Sequence, residues 1–573
     1  MNATRTLRTT YIHRSLDRLS RLSVALGVLL VLASAVFRPG GAFASAAQGS
    51  QKWVLDVGTK FQPSEVQAAG GTLEWYWQEA GIAVAASADP TFGNKVLGRN
   101  VSLAVADMTA RGPSLLSMPQ TEGSPSDPID FDAYASNYQW YWQAIGAARP
   151  NPQGGPPLWQ LGDYEGSGVK VADIDSGVPA IWDSGVWGNG HPVDLHPEFN
   201  EYDPSHPELG GVVVLRDPNT GDVLNYDDYG HGTLVVSMLA AQHRGPGAMR
   251  GLVPKATVYC HRLDWYNFYS SFLEGWFKAA EFGCQILNNS LAAIDLPVER
   301  YGDINYKFPI IIRKAATELH RRGVLIVAAA GNYPVDLKKD SATFFPWVDW
   351  GLDHGLHAVF SEPQDMPNVI VAGGTGPADY DPFAADGLSK YDPWPGSQKG
   401  RAFNLDRIVN CHLADWWWPG SWPRFFGSDY GHSQTVVAPM GMNFKDWTVP
   451  LANIRYQTIY FANCLEVVPG QGFHDYGGGT SLSSPITCGV AVLAAEAYYR
   501  VHGVMPSPVT LASILKASAD DLVGPATDDF WVWNEKTLQF EFKMNMPADK
   551  PGNDTRYGYG RVNALKAIEM ARR

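Results

Sequence analysis

Four residues in this chain have the types and settings for acyl-transfer chemistry. Ser481 stands in Gly479-Thr480-Ser481-Leu482-Ser483-Ser484-Pro485, directly before the apolar run 486–495. That run predicts a buried helix. At a helix N-terminus, free backbone N–H groups and the positive end of the helix dipole favour an attacking hydroxyl and the oxyanion it creates. Upstream, the apolar run 169–174 reads as a strand and ends in Asp175, followed by the turn Ser176-Gly177. His231 lies in Tyr229-Gly230-His231-Gly232-Thr233, at the head of a second apolar run, 234–241. A serine hydroxyl is a weak nucleophile until a base takes its proton. Histidine titrates in the right range for that work, and a carboxylate beside it selects the useful tautomer. Asn332 follows the apolar strand 324–330 and offers an amide donor at its carboxyl end.

Taken singly, each motif is common in loops. Asp173, two residues before Asp175, lies on the same strand face by alternation, and no role in the chemistry is read for it. Taken together and in order, Asp175-Ser176-Gly177, His231-Gly232-Thr233, Ala329-Ala330-Gly331-Asn332 and Gly479-Thr480-Ser481 with Ser484-Pro485 resemble the subtilase family of serine peptidases. The resemblance covers roughly residues 137–572. It implies that Asp175, His231 and Ser481 are a catalytic triad. It further implies that Asn332 and the Ser481 N–H donate to the tetrahedral oxyanion. Substrate would lie along an extended strand after Asn289-Ser290-Leu291, with P1 pocket walls at Ser290, Leu291 and Ala292 and at Ala329, Ala330 and Gly331. No acid is evident in those walls, which predicts an apolar or aromatic P1 residue. Where the family commonly has two glycines this chain has Ala292 and Ala293, whose methyls would crowd the P1 and P2 side chains.

The elements that must position these residues follow from hydrophobic periodicity. Strands are predicted at 169–174, 257–261, 284–288, 324–329 and 369–373. Helices are predicted at 233–242, 272–282, 311–322, 485–501 and 510–518. Alternation of this kind predicts a doubly wound, mainly parallel α/β sheet with helices on both faces, whose chemistry gathers at the strands' carboxyl ends.

Residues 1–46 read as an export signal: Arg5, Arg8, Arg14, Arg18 and Arg21, then the apolar run 24–37, then Ala44-Ser45-Ala46. There is no Arg-Arg pair, which favours general secretion over the twin-arginine route; an uncleaved signal anchor is the alternative. Residues 47–111 form a small α+β unit whose turns and strands resemble the inhibitory prodomain of subtilases; a retained N-terminal domain is the alternative. Residues 112–136 are a Pro/Ser/Gly-rich linker and the expected maturation region. Residues 137–573 are the peptidase domain, with inserts near 205–228, 333–365 and 376–434. The first insert reads as a hairpin, and the others are rich in Trp and Pro.

The 573 residues carry a formal charge of −14, with 45% apolar and 12% aromatic residues. That balance argues against nucleic acid or an anionic membrane as partner. The expected partners are protein or peptide substrates and the chain's own prodomain, with no stable membrane association after signal removal and a monomeric state. Of five cysteines, Cys260, Cys284 and Cys488 read as core residues, and Cys411 with Cys464 is a candidate disulfide. No cofactor is required for the chemistry. The acid-rich loops 194–203, 217–228 and 520–521 are candidate structural calcium sites without EF-hand spacing. The reading is therefore a secreted, zymogen-type serine endopeptidase. Its rivals are a narrow-specificity processing protease and a non-catalytic binding protein on the same fold.

Overall fold

The computed structural model describes residues 50–107, 139–149, 158–184, 190–243, 249–291, 294–297, 307–332, 336–337, 343–349, 352–360, 363–366, 368–375, 413–414, 425–426, 428, 430–440, 459–462, 474–477, 479–522, 528–534, 539–546 and 551–573. All of these belong to one compact unit, Ser50–Arg573. The signal 1–46, the linker 112–136, Ala292, Ala293, both half-cystines of the candidate disulfide and most of the 376–434 insert lie outside the described residues.

The N-terminal segment forms strands β1 (Gln51–Val57), β2 (Thr72–Trp77), β3 (Ile82–Ser87) and β4 (Val101–Ala106), with short helices at Pro63–Ala68 and Phe92–Val96. The strands pair antiparallel in the order β2-β3-β1-β4. Their side chains alternate between two cores. Leu55, Val57, Ala83 and Ala85 pack with Val66, Phe92 and Val96 in a small core of the sheet's own. Val54, Trp77, Ile82, Val84 and Val105 point the other way, into the main body.

The central sheet contains β5 (Lys170–Asp175), β6 (Gly211–Val213), β7 (Thr257–Arg262), β8 (Ile286–Asn289), β9 (Leu325–Ala329), β10 (Val369–Thr375) and β11 (Val436–Pro439). Its order is β6-β7-β5-β8-β9-β10-β11, and every pairing is parallel. The chain enters at β5, moves out to the β6 edge, returns through β7 and then crosses to β8. The strand order therefore reverses at β5, where an open α/β sheet leaves a crevice at its carboxyl ends. Around the sheet lie helices α1 (His231–Ala240), α2 (Phe268–Phe282), α3 (Lys307–Arg321) and α4 (Thr480–His502). Val171, Val258, Ile286, Leu325 and Val327 share one core with Leu234, Val235 and Met238 of α1 and with Leu482, Ile486 and Val490 of α4. Ala172, Ile174, Tyr259, Leu287, Ile326 and Ala328 face the other way, onto Leu273 and Trp276 of α2 and Ile311 and Ala315 of α3. A parallel sheet buried on both faces explains why its strands read as continuous apolar runs.

Two expectations change. The 205–228 insert is only in part a hairpin: Val212 pairs in parallel with Val258, so β6 is the sheet's edge strand, and the hairpin closes beyond it through Leu224 N–H to Leu215 O. Helices α1 and α4 begin earlier than their apolar runs, at His231 and Thr480. Polar first turns carry no hydrophobic signal, so periodicity alone places these starts too late. Among the described residues no helix is long and apolar enough to cross a membrane.

Candidate active site

Asp175 ends β5 and is buried. His231 opens α1. The close approach of helix to strand depends on Gly177 and Gly232: a Cβ on Gly232 would sit 2.3 Å from the Gly177 carbonyl oxygen, and Gly177 itself has φ +132°. At that approach His231 Nδ1 lies 2.8 Å from both carboxylate oxygens of Asp175. Oδ1 of Asp175 also accepts from Ser176 N–H at 2.7 Å, and Ser176 Oγ accepts from Gly232 N–H at 2.7 Å. Burial pulls the His231 imidazolium down, yet Asp175, with help from Asp227, holds its pKa above the ordinary value.

Asp227 is a site residue that the sequence reading placed only in an acid-rich loop. Its carboxylate accepts from Gly230 N–H at 2.7 Å, Tyr229 N–H at 2.8 Å, and both the N–H and hydroxyl of Thr233 at 2.7 Å. It thus caps the helix that begins with His231, complementing the free N–H groups and the positive dipole end. Other acids in the candidate calcium loops are also engaged by their own chain. Asp217 accepts from Asn219 and Thr220 N–H, Asp203 from Ser205, Asp228 meets Arg262, and Asp520 meets Lys566. Among the described residues no group of three or more His, Cys, Asp or Glu stands ready to hold a metal. No step of the chemistry is assigned to calcium. Cys260, Cys284 and Cys488 are free and buried.

Ser481 is the second residue of α4. Gly479, at φ +146° and ψ +156°, takes the chain into the helix through a conformation that side chains rarely adopt. The Ser481 hydroxyl donates to the Ser290 carbonyl at 3.1 Å, and the Ser290 hydroxyl donates back to the Ser481 carbonyl at 2.9 Å. Among the described residues no hydrogen bond joins Ser481 to His231. The structure brings Asp175 and His231 together, sets Ser481 on the neighbouring helix and turns its hydroxyl toward Ser290. Such bonds commonly tighten only with substrate bound.

Asn332 follows β9. Its Oδ1 accepts from Thr480 N–H at 2.8 Å and from the Thr480 hydroxyl at 2.9 Å, and that hydroxyl accepts from Gly331 N–H at 3.1 Å. With the amide oxygen occupied, the amide nitrogen is the end available for donation. Thr480 is thus a positioning group beside the serine that residue type alone did not single out.

The walls named from sequence lie where strands part. The β8–β9 register ends at Asn289 with Ala328, and Ser290, Leu291, Ala329, Ala330 and Gly331 follow. Ser290, Ala329, Ala330 and Gly331 are buried and Leu291 is half-buried; Ala292 is outside the described residues. Gln364 spans the split. Its Nε2 donates to Ala329 O at 2.9 Å and makes a long 3.5 Å approach to Leu291 O. Gln364 lies far from every motif in sequence, so only folding reveals it.

Comparison with known proteins bears on the family and the fold. A model of the subtilase family matches residues 166–560. Subtilisin BL of Lederbergia lenta is 28% identical over 170 residues, which is 29% of this chain and 49% of that protein. Thermitase of Thermoactinomyces vulgaris is 26% identical over 213 residues, 36% of this chain and 58% of that protein. The chain thus spans about half the length of these curated relatives. Among solved structures, the epidermin leader peptide processing serine protease of Staphylococcus aureus aligns over 92% of this chain and 99% of its own, with a TM-score of 0.52 and 16% identity, a likeness of fold.

Proposed function

The chain belongs to the subtilase family, and from that premise we propose that it is a secreted serine endopeptidase, made as a zymogen, that cleaves peptide bonds through an acyl-enzyme. The observation that carries the reading is the buried Asp175–His231 pair at the carboxyl edge of the sheet, with Ser481 on the adjoining helix turn. Asp175 accepts from His231 Nδ1–H, so Nε2 is left as the basic nitrogen. The Ser481 hydroxyl turns from the Ser290 carbonyl to Nε2, gives up its proton and attacks the scissile carbonyl. The oxyanion accepts from the Asn332 amide and the Ser481 N–H. His231 then protonates the leaving amine, and water repeats the cycle in reverse to free the acid.

Residues 47–111 are the inhibitory prodomain in this reading. Its sheet lies on α2 and α3. At its carboxyl end, Asp107 accepts from Tyr269 N–H at 2.8 Å and Ser270 N–H at 3.1 Å, capping α2. Trp75 stacks on Phe277 with centroids 6.2 Å apart, and Lys314 pairs with Asp56. Cleavage within 112–136 would separate this unit covalently while its contacts persist. The N-terminal basic and apolar segment would direct export.

The test is fluorophosphonate labelling of the purified protein beside Ser481→Ala, with mass spectrometry of the labelled peptide and of the new N-terminus. Label on Ser481, absent from the variant, with casein digestion and an N-terminus between about 105 and 140, is expected from the motif positions and the linker composition. A folded, processed protein that takes no label would overturn the reading. Casein digested alongside defined peptides separates broad from narrow specificity.

A further inference from the structure

Beneath the catalytic pair lies a second carboxyl that the chemistry above does not use. Asp173 shares the face of Asp175 on β5, and its partners across the sheet are Asn288 on β8 and Cys260 on β7. It is fully buried. One oxygen, Oδ1, accepts from Asn288 Nδ2 at 2.9 Å, and Oδ2 has no partner among the described residues. An acid placed so deeply needs a reason beyond packing.

From Asn288 the contacts reach the nucleophile along two routes. Its Nδ2 also donates to Ser290 Oγ at 2.9 Å, and that hydroxyl donates to the Ser481 carbonyl at 2.9 Å. Its Oδ1 accepts from Ser484 Oγ at 2.7 Å, one turn along α4. The first route matters because of Pro485. Within a helix the Ser481 carbonyl would accept from the N–H of residue 485, and proline has none. The Ser290 hydroxyl supplies the missing donor. A hydroxyl has one proton and a free rotor, and a donor held on its lone pair fixes the direction in which that proton points. Asn288 is that donor. Asp173 and Ser484 each engage one end of its amide.

We propose that Asp173 is a positioning residue for the nucleophile, fixing through Asn288 and Ser290 the carbonyl of Ser481 and hence the turn from which the attacking hydroxyl projects. The proposal rests on the reading of Ser481 as nucleophile. Burial, reinforced by the nearby Asp175 and Asp227, holds the Asp173 carboxyl well above the usual range. That direction favours the uncharged acid, which accepts through Oδ1 and is spared repulsion by its two neighbours.

The test compares wild type, Asp173→Asn and Asp173→Val as full-length protein. The readouts are the rate of fluorophosphonate labelling at Ser481, kcat and KM on one peptide, and thermal melting. Asparagine is the isostere of the uncharged acid and keeps the acceptor, so its labelling rate stays within about threefold of wild type. Valine fills similar space without an acceptor; labelling slows by about tenfold or more, and kcat falls with KM unchanged. Wild-type labelling by Asp173→Val would overturn the proposal. So would an Asp173→Asn rate as slow as the valine variant's, since a charge rather than an acceptor would then be at work. If the valine variant does not fold, Ser290→Ala cuts the last link and leaves Asp173 in place. The same slowing is expected there, and a wild-type rate overturns the proposal. A wild type without label at Ser481 is a separate result, which removes the nucleophile assignment and this proposal with it.

Discussion

The central sheet is parallel and covered by helices on both faces, whereas the N-terminal sheet is antiparallel and divides its side chains between a small core of its own and the surface of α2 and α3. In the first, the proposed chemistry sits at strand ends, where Asp175, Ser290 and Asn332 leave or follow β5, β8 and β9. In the second, Asp107 just past β4 caps a helix, and the broad face packs on the main body. A buried parallel sheet can hold unusual polar groups because its interior is rigid and dry. An antiparallel sheet with one face to spare can be laid on a partner and lifted from it.

The comparison can be broken most directly at the nucleophile. Ser481→Ala should lower proteolysis by at least about a thousandfold while leaving the melting temperature nearly unchanged, measured by peptide hydrolysis and calorimetry. A variant that unfolds instead would show that the first turn of α4 also carries the fold. Trp77 is fully buried between the two regions. Trp77→Ala should cost about 3–5 kcal/mol in urea unfolding of the full chain; a loss below about 1 kcal/mol would mean that the sheet is loosely laid. Asn332→Ala should reduce kcat by about 10²–10³, equivalent to about 2.7–4 kcal/mol, with little change in KM. An equal loss in both would place the amide in ground-state binding instead.

The acid limb of kcat/KM sharpens the electrostatic side. Because Asp175 and Asp227 outweigh burial, His231 stays protonated to higher pH than an ordinary histidine. Its basic form is lost as pH falls, so activity should drop about tenfold per unit below a midpoint above about 6.5. The linked stability has the opposite sense. Folding favours the imidazolium, so its contribution is full below the unfolded pKa and is lost as pH rises through the folded one. Asp175→Asn should move the midpoint down; an unmoved midpoint would assign the limb to another group. The smallest effect belongs to the cap between the two regions. Asp107→Ala should cost about 1 kcal/mol and speed amide exchange in the first turn of α2, read by hydrogen exchange.

How far the sequence reaches is seen residue by residue. The strand ending in Asp175 and the helices after His231 and Ser481 are legible because long apolar runs announce elements that must be buried. Their boundaries slip where polar first turns begin, since Thr480 and His231 join helices through backbone bonds that hydrophobicity does not record. The hairpin expected at 205–228 becomes in part an edge strand, because three residues of Gly and Val suit either and only the neighbouring β7 decides. Gln364 and Thr480 are ordinary residue types that acquire their roles from atoms of distant segments, and Asp227, one acid among several in its loop, acquires its role from the helix start that folds back over it.

By itself the sequence determined the order and chemical types of Asp175, His231, Asn332 and Ser481, together with the alternation that places them at strand ends and helix starts. Those are local properties: a carboxylate, an imidazole, an amide and a hydroxyl keep their chemistry in any fold, and burial demands the same periodicity everywhere. The tertiary structure decided the rest. It set the 2.8 Å contact of His231 with Asp175, the exchange of bonds between Ser290 and Ser481 that compensates for Pro485, and the role of Asp173, which alternation alone leaves as one more acid on a strand. Hydrogen bonds require atoms to meet within about 3 Å, and only the completed packing of strands and helices brings distant segments that close.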